Sequence, residues 1–414
     1  MRILSLNTIE TKGGAAQAAH RLCYGLGDLN IETTKLSLHS TSPPRSVPSF
    51  SHVASNIRRF SWYTEQLPLT IYTRRNRHTP WSLNWFPYAV ARTLNTLDFD
   101  IVHLHWVGGG FVPIQAVAGF RHPIVWTLHD SWAFTGGCHL PGACLGYQDS
   151  CGSCPQLGSH FEHDLSRFIW SQKNNCWRNT EITIVTPSRW LADCARKSSL
   201  FGKYPIHTIP NGLDLAVYKP MDKTIARSIL KLPQDVKLIL FGAVNGTTDR
   251  NKGFHLLLPA LQQLSVQLTS EAAFVVLGAT SSSHNPDMGF PTYYLGHLSD
   301  DISLALAYSA ADVFVAPSLQ ENLPYTIMEA LACGTPSVAF QVGGIPDLIE
   351  HQRNGYLAKS YDIGDLANGI EWVLQDANRR QSLSQQARKK IEAEFDIKII
   401  AQRYKSLYEQ LMAT

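Results

Sequence analysis

Short apolar runs rich in β-branched residues alternate with helical patterns along most of this 414-residue chain. Buried parallel strands have this composition, and a helix between two such strands makes the right-handed crossover that parallel pairing needs. Eight runs are strand candidates: residues 1–7, 100–105, 124–128 and 182–188 in the first half, and residues 237–242, 272–278, 313–317 and 336–340 in the second. The pattern predicts an α/β protein with two Rossmann-like halves.

A non-periodic stretch rich in Pro, Gly and Asp, from Pro210 to Lys223, separates the two halves. Because such residues interrupt regular structure, we place a domain boundary there, with a first domain at 1–215 and a second at 216–395. Asp396 is a suitable N-cap, and apolar residues recur after it at helical spacing. The sequence therefore predicts a last helix within 396–414.

Charge is divided unevenly between the halves. Residues 1–215 contain 19 Lys+Arg and 13 Asp+Glu, a net charge of +6, whereas the remainder contains 17 and 20, a net charge of −3. Arginines and aromatic residues mix between Asn56 and Phe86, which suits an anionic bilayer surface or a phosphate-bearing lipid-linked acceptor. Nucleic acid is a competing partner, and a solvated basic face around a loop is the simpler alternative.

The stretch ENLPYTIMEA, from Glu321 to Ala330, is the most informative for function because it sets two carboxylates eight positions apart. It follows a short apolar strand candidate, and Pro324 and Gly334 suit the start and the end of a helix. Glu321 is then expected before the helix and Glu329 inside it. Two solvated glutamates on a surface helix are the alternative interpretation.

The start of that helix is a candidate phosphate site. The backbone N–H groups of Asn322 and Leu323, with the positive end of the helix dipole, suit the oxygens of a pyrophosphate. Glu329 can accept two hydrogen bonds from a ribose diol, and Glu321 can face the group that the pyrophosphate carries. This arrangement predicts binding of a nucleotide sugar.

Seven blocks in a fixed order carry a resemblance to glycosyltransferase family 4, the retaining nucleotide-sugar enzymes with the GT-B fold. The blocks are residues 12–22, 100–106, 125–130, 186–192, 209–214, 251–257 and 310–344. The resemblance runs through most of the chain and implies two Rossmann-like domains facing an interdomain cleft, with the last helix crossing back to the N-terminal domain. A cysteine-rich insertion makes the chain look closest to exopolysaccharide and colanic-acid-type members.

The resemblance implies a function as a retaining hexosyltransferase. It would move a sugar from a nucleoside diphosphate sugar, bound by the second domain, to a glycan or lipid-linked acceptor bound by the first, in polysaccharide biosynthesis. No nucleic acid is part of this interpretation. A nucleotide-sugar epimerase or a phosphorylase on the same fold, or a non-catalytic scaffold, are the alternatives.

The resemblance also assigns site residues. Lys252 matches the family's phosphate-binding lysine, and His129 matches the histidine that faces the donor sugar, so both join Glu321 as expected catalytic residues. Arg250 is the nearest substitute for an arginine that the family has just after the first strand of the second domain. The expected donor-binding residues are Gly13, Gly14, Arg250, Lys252, Asn322, Leu323 and Glu329. Each has a simpler interpretation: a solvated Lys or Arg, a core histidine, or a tight βα turn.

Four cysteines lie in a Gly-rich insertion without apolar periodicity: Cys138, Cys144, Cys151 and Cys154. The insertion, residues 138–154, has the ligand set of a tetrahedral structural zinc, and a cross-link is expected to hold it. Disulfides, an iron–sulfur cluster and free thiols remain open.

No metal is expected for catalysis, because Lys252 and the helix start can meet the diphosphate charge. The D-x-D pattern at Asp98 and Asp100 precedes a strand, whereas a metal-diphosphate site would follow one, so we interpret it as structural. The N-terminus MRILSLN reads as a first strand rather than a signal peptide. A cytoplasmic protein, associated at the inner face of the plasma membrane, is the expectation.

Overall fold

The computed structural model describes residues 1–11, 13–39, 60, 63–86, 90–242, 249–266, 272–280 and 286–413. These residues form two compact units, one of Met1–Gly212 with Lys398–Thr414 and one of Leu213–Ile397. Within the described ranges each unit contains one six-stranded sheet whose strands all pair in parallel. None of the helices in these ranges is long and apolar enough to cross a bilayer.

The first unit has the strand order β2-β1-β3-β4-β5-β6. Its strands are β1 (Arg2–Ile9), β2 (Glu32–His39), β3 (Ile101–Leu104), β4 (Ile124–Thr127), β5 (Ile182–Thr186) and β6 (Ile206–Thr208). Its helices are α1 (Gly14–Gly27), α2 (Val90–Leu94), α3 (Ile114–Val117), α4 (Leu165–Trp177) and α5 (Arg189–Lys197). The central strands β3, β4 and β5 are buried at every residue, which explains their continuous apolar sequences.

The second unit has the strand order β12-β11-β10-β7-β8-β9. Its strands are β7 (Lys237–Gly242), β8 (Ala272–Leu277), β9 (Thr292–Gly296), β10 (Val313–Ala316), β11 (Ser337–Phe340) and β12 (Gly355–Ala358). Its helices are α6 (Lys223–Ile229), α7 (Phe254–Ser265), α8 (Asp301–Ala310), α9 (Tyr325–Ala332), α10 (Ile345–Leu348), α11 (Ile363–Gln375) and α12 (Ala377–Glu394).

Strand order reverses once in each sheet. In the first unit β1 lies between β2 and β3, and in the second unit β7 lies between β8 and β10. Crossover helices leave the sheet in opposite directions at such a point, which opens a crevice at the carboxyl ends of the two strands. The fold therefore offers one crevice beside β1 and one beside β7.

The last helix, α13 (Ile397–Met412), packs on the first unit, as predicted. Its apolar stripe is buried in a cluster with residues of β1, α1, β3 and β4, which consists of Ile3, Leu22, Leu26, Ile101, Val125, Ile400, Ala401, Tyr404, Leu407 and Tyr408 among others. The Tyr404 hydroxyl lies 2.8 Å from Thr127 Oγ1, and the Tyr408 hydroxyl lies 2.7 Å from His103 Nδ1. These buried polar contacts fix the helix against the sheet.

The four-cysteine insertion is ordered by protein hydrogen bonds. Cys138 pairs with Trp81 in an isolated antiparallel bridge, and the Cys154 N–H donates to Asp164 Oδ2 at 2.8 Å. The buried Lys173 of α4 donates to the carbonyl oxygens of Thr135, at 2.9 Å, and Trp132, just before the insertion. Burial lowers the pKa of Lys173 to about 7. These hydrogen bonds hold the insertion and the residues just before it against α4 and Trp81.

The structure does not support the predicted zinc site. The four cysteines are free thiols that line one cavity of about 20 Å³. No group of three or more His, Cys, Asp or Glu side chains in the described part of the chain is arranged to hold a metal ion. The prediction assumed that a Gly-rich segment without a core needs a metal, whereas Asp164 and Ser166 accept hydrogen bonds from the Cys154 and Gly152 N–H groups.

We expect the Asp164→Ala variant to melt at a clearly lower temperature than the wild-type protein. Asp164 caps α4 by accepting from the N–H groups of Ser166 and Arg167, in addition to that of Cys154, and loss of such a cap costs about 1–2 kcal/mol. Cys151→Ser should cost less, because a serine oxygen can still accept from the Gly136 N–H. The exposed Asp193→Ala is the control.

Calorimetry with and without a chelator checks this expectation, together with metal analysis under reducing conditions. Two results together would contradict the expectation: zinc in a one-to-one ratio to the protein, and a larger decrease in melting temperature for Cys151→Ser than for Asp164→Ala.

Candidate functional site

A small cavity opens at the crevice beside β7 in the second unit. It lies where the carboxyl ends of β7 and β10 meet, and its volume of about 10 Å³ leaves room for little more than one water. It is lined by Phe241, Gly242, Lys252, Ala316, Pro317, Ser318, Glu321, Pro324 and Thr326. The fold therefore places two of the three expected catalytic residues, Lys252 and Glu321, at its topological switch point.

Lys252 and Glu321 form an ion pair across this cavity. Lys252 Nζ donates to Glu321 Oε1 at 2.6 Å, and both side chains are partly buried. The carboxylate charge of Glu321 raises the pKa of Lys252 against the opposing effect of burial. The lysine is therefore a cation at neutral pH, held by the carboxylate that lies nearest to it.

The turn that carries Lys252 packs directly on the loop after β10. The Leu319 N–H donates to the Asn251 oxygen at 2.8 Å, and Asn251 Nδ2 donates to the Gln320 oxygen at 3.0 Å. Gly253 has a φ of 73°, and a Cβ at this residue would lie 1.8 Å from the Pro317 oxygen. Only glycine allows this approach, which brings Lys252 to Glu321.

The loop after β11 holds Glu321 from the other side. Gly343 has a φ of 54°, and a Cβ there would lie 1.9 Å from the Glu321 carbonyl oxygen, which also accepts the Gly344 N–H at 3.0 Å. The backbone of Glu321 is thus fixed by a glycine contact and a hydrogen bond. Neighbouring strands β7, β10 and β11 contribute three loops to one site.

Glu329 lies apart from this pair. It is buried within α9, and Glu329 Oε2 accepts a hydrogen bond from the Tyr308 hydroxyl at 3.1 Å. It does not line the small cavity in the described residues. Pro324 is the N-cap of α9, one position before the predicted first turn, and Gly334 follows the helix end with a φ of 75° as expected.

The remaining donor-binding candidates of the second unit lie around the pair. Asn322 and Leu323 follow Glu321 in the loop that leads into α9, and Leu323 is buried. Arg250 is exposed on the same turn as Lys252 and forms no ion pair with another residue of the described ranges. It lies close enough to His255 to lower the pKa of that imidazole, although burial is the larger cause.

In the first unit, Gly13 and Gly14 lie at the crevice beside β1. Helix α1 begins at Gly14, both glycines are exposed, and among the described residues no atom lies within 4 Å of a Cβ built on either. Gly13 has a φ of 89°, which favours glycine. The start of α1 therefore has open space for a ligand.

His129 follows β4 and is neutral at neutral pH. Burial lowers its pKa to about 4, against the opposing charge of Asp130. Its Nε2 lies 3.1 Å from His105 Nδ1, and the other ring nitrogen of His105 has no partner in the described structure. Because a buried N–H without an acceptor is costly, we assign the His105 proton to Nδ1, which donates to His129. His129 then carries its own proton on Nδ1.

Sequence reasoning missed a buried polar chain beside His129. Asp130 Oδ2 accepts from His139 Nδ1 and from Trp106 Nε1, each at 2.6 Å, and His139 Nε2 lies 2.8 Å from Ser82 Oγ. Burial would raise the pKa of Asp130, but His139 and the other donors hold it below the ordinary value. The His-Asp dipeptide at a strand end was the available signal for this ionised carboxylate.

Asp98 and Asp100 lie at the amino end of β3, the edge opposite to the crevice. Arg2 engages both carboxylates, with its backbone N–H donating to Asp100 Oδ2 at 2.7 Å and its side chain donating to Asp98. Their position agrees with a structural role.

Comparisons with known proteins bear on both units. Residues 12–217 match the family described as Glycosyltransferase Family 4, and residues 222–390 match the family described as Glycosyl transferases group 1. A D-inositol 3-phosphate glycosyltransferase 1 of Catenulispora acidiphila is 26% identical over 310 residues, which is 69% of this chain and 66% of that relative. The match thus covers slightly less than two thirds of the relative's length.

Two solved structures share the architecture over the whole chain. Sucrose-phosphate synthase of Thermosynechococcus elongatus has a TM-score of 0.68 at 20% identity, covering 100% of this chain and 99% of that one. Anabaena HepE, in complex with UDP and glucose, has a TM-score of 0.65 at 18% identity, covering 99% and 100%. These likenesses confirm the predicted two-domain Rossmann-like GT-B fold. The two family matches divide the chain into a domain of Glycosyltransferase Family 4 and a following domain of Glycosyl transferases group 1.

Proposed function

We propose that the protein is a retaining hexosyltransferase that takes its sugar from a nucleoside diphosphate sugar. The acceptor is a glycan or a lipid-linked saccharide, and the reaction belongs to polysaccharide biosynthesis. The observation that carries the proposal is the Lys252–Glu321 pair at the switch point of the second unit. The pair supports the proposal because a cation suits a leaving diphosphate and a neighbouring carboxylate suits the hydroxyl groups of a sugar.

The chemistry follows from the charges that develop during transfer. The sugar gains positive character at its anomeric carbon, while the leaving diphosphate gains negative charge. Lys252 and the backbone at Asn322 and Leu323 stabilise the diphosphate, with Arg250 as a second cation. Glu321 and the neutral imidazole of His129 orient the sugar hydroxyls. The start of α1 at Gly13 and Gly14 offers further N–H groups to the diphosphate.

Without a ligand, the two residues neutralise each other. A diphosphate that reaches the cavity competes with Glu321 for Lys252, because the diphosphate and the carboxylate both accept charge-assisted hydrogen bonds from the same ammonium group. Binding would therefore release Glu321 for the sugar at the moment when Lys252 turns to the phosphate. Glu321 thus neutralises Lys252 until a donor diphosphate takes its place.

Ligands bound in the structural neighbours support the donor class. HepE is described in complexes with UDP and with UDP-glucose, and a starch synthase IV domain from Arabidopsis thaliana is described with ADP. UDP and ADP are nucleoside diphosphates, UDP-glucose is a nucleoside diphosphate sugar, and both neighbours share only the fold with this chain. The predicted zinc is not carried into this proposal, since the cysteines have no arrangement that would hold it.

We expect UDP, GDP or ADP to raise the melting temperature, because a ligand that binds only the native state stabilises it. The matching sugar nucleotide should then give a product that keeps the donor's anomeric configuration, as proton NMR can show. Lys252 meets the diphosphate charge, so transfer should proceed in EDTA. Four results would contradict the proposal. They are inversion of the donor's anomeric configuration, an epimer formed without acceptor, a transfer rate restored only by a divalent cation, and the absence of stabilisation by any nucleotide.

The ion pair makes a prediction about two single variants. Lys252→Ala should weaken binding of the stabilising nucleotide by at least about tenfold, because a charge-assisted contact is lost. Glu321→Gln should bind it about fivefold more tightly, since release from a partly exposed pair returns on the order of 1 kcal/mol. Turnover of both should fall.

Isothermal titration calorimetry separates these effects, with Glu350→Gln as the control because its partner is Lys390 rather than Lys252. Weaker nucleotide binding by Glu321→Gln would show that the glutamate is not a competitor of the diphosphate.

Glu329 is proposed to hold the ribose, and a probe without ribose tests this role. Glu329→Gln should weaken binding of the nucleotide by about tenfold, on the order of one charged hydrogen bond. Binding of inorganic pyrophosphate should stay unchanged. Tyr308→Phe removes the hydrogen bond to Glu329 without removing the carboxylate, and it is the matched control. Equal weakening of both ligands by Glu329→Gln would assign the residue to the stability of α9 instead.

A further inference from the structure

Two successive residues after β3 hold two successive residues after β4. His105 and Trp106 follow β3, and His129 and Asp130 lie beyond the end of β4. His105 Nδ1 lies 3.1 Å from His129 Nε2, and Trp106 Nε1 donates to Asp130 Oδ2 at 2.6 Å. The histidine proposed to orient the donor sugar therefore has a hydrogen-bond partner at the end of the neighbouring strand.

The backbone of His105 is fixed on both sides. Its N–H donates to the Leu6 oxygen of β1 at 2.9 Å, and its carbonyl oxygen accepts from Trp126 Nε1 of β4 at 3.2 Å. The residue is buried, with 3% of its surface exposed. A close-packed interior leaves such a ring little freedom to turn. His105 is thus a rigid support for the ring that it contacts.

Three imidazole rings lie in a row, those of His103, His105 and His129. The ring centroids of His103 and His105 are 4.1 Å apart, and those of His105 and His129 are 5.3 Å apart with the ring planes inclined by 20°. His103 Nδ1 lies 2.7 Å from the Tyr408 hydroxyl of the last helix, and His103 Nε2 lies 2.8 Å from Thr127 Oγ1. The ring of His105 is therefore packed from behind, which fixes the direction in which its Nδ1 points.

The hydrogen bond between His105 and His129 has one direction. His105 Nε2 is buried and has no partner in the described part of the chain. A proton on Nε2 would be a buried donor without an acceptor, so the proton of His105 lies on Nδ1 and is donated to His129 Nε2. Burial is the main cause that lowers the pKa of both imidazoles, so neither ring carries a second proton at neutral pH. The proton of His129 is consequently on Nδ1.

We propose that His105 is a positioning residue for the transfer reaction. Its Nδ1 proton holds the ring of His129 and keeps the proton of His129 on Nδ1, so that His129 meets a sugar oxygen as a hydrogen-bond donor. The opposite tautomer would present a lone pair at Nδ1, which could only accept a hydrogen bond. The inference rests on the proposed function, in which His129 orients the sugar. His105 acts through His129 and is not itself a catalytic residue.

Two variants of similar shape test this role. Asparagine and leucine share a branched Cγ, but only asparagine has an N–H donor at the δ position that Nδ1 occupies in histidine. His105→Leu should lower kcat at least about tenfold, because the orientation of His129 matters in the transition state. His105→Asn should keep kcat within about threefold of the wild-type value, since a donor to His129 remains. Binding of the nucleoside diphosphate, which has no sugar, should stay unchanged in both variants.

The tautomer of His129 is a second readout, which a merely structural role of His105 would not change. NMR of protein with isotope-labelled histidine distinguishes a protonated from an unprotonated ring nitrogen, and the His129 signals are assigned by their loss in His129→Asn. The wild-type protein and His105→Asn should have the proton on Nδ1. In His105→Leu the proton should move toward Nε2, which has lost its hydrogen-bond donor.

The control is His207→Leu, because His207 is exposed on β6, the edge strand of the same sheet. It should have the turnover of the wild type. Melting curves show which variants are folded. If His105→Leu does not fold, His105→Phe takes its place, because it keeps an aromatic ring in the row and also lacks the donor.

Three results would overturn the proposal. They are a proton on Nε2 of His129 in the wild-type protein, turnover of His105→Leu at the wild-type rate, and turnover of folded His105→Asn as slow as that of His105→Leu. Failure of UDP, GDP and ADP alike to stabilise the wild-type protein would contradict the proposed function instead. The two failures are distinguishable, because the tautomer of His129 is measured without a donor.

Discussion

The close approach of three loops at the carboxyl edge of the second sheet is the constraint on which the candidate site depends. Gly253 lies against the Pro317 carbonyl, and Gly343 lies against the Glu321 carbonyl, at distances that no side chain would permit. These contacts join the ends of β7, β10 and β11 into one surface. The Lys252–Glu321 pair is the consequence, because its two partners come from loops that only glycine lets meet.

The two units supply different chemistry. The second unit holds a matched cation and anion, so its cavity is neutral until a ligand separates them. The first unit holds a neutral imidazole at His129 beside the ionised Asp130, both set by buried hydrogen bonds. Neutral His129 suits hydroxyl groups, and a charged pair suits a diphosphate.

The sequence predicted the sheet centres well and the sheet edges poorly. All eight predicted strands are present, and the four that were missed, β2, β6, β9 and β12, are the edge strands of the two sheets. Edge strands are partly exposed and carry mixed sequences, such as ETTKLSLH in β2, so they lack the apolar run that marks a central strand. Hydrophobic pattern alone cannot separate them from loops.

Side-chain partners were harder to predict than elements. The family resemblance indicated Lys252 and Glu321, but their mutual pairing depends on the glycine contacts, which a single sequence does not reveal. Glu329 was predicted inside the helix and lies there, but the sequence did not reveal the hydrogen bond that it accepts from the Tyr308 hydroxyl. The cysteine insertion was expected to need a metal because its own sequence lacks a core. It is held by hydrogen bonds to Asp164 and Ser166, outside the insertion.

The most direct test of this account is a crystal structure with the nucleoside diphosphate that stabilises the protein. The account predicts Lys252 Nζ within about 3.2 Å of a diphosphate oxygen, with Glu321 withdrawn from the lysine and turned toward the position of the sugar. A bound nucleotide that leaves the Lys252–Glu321 pair intact, with its diphosphate held elsewhere, would contradict the central claim.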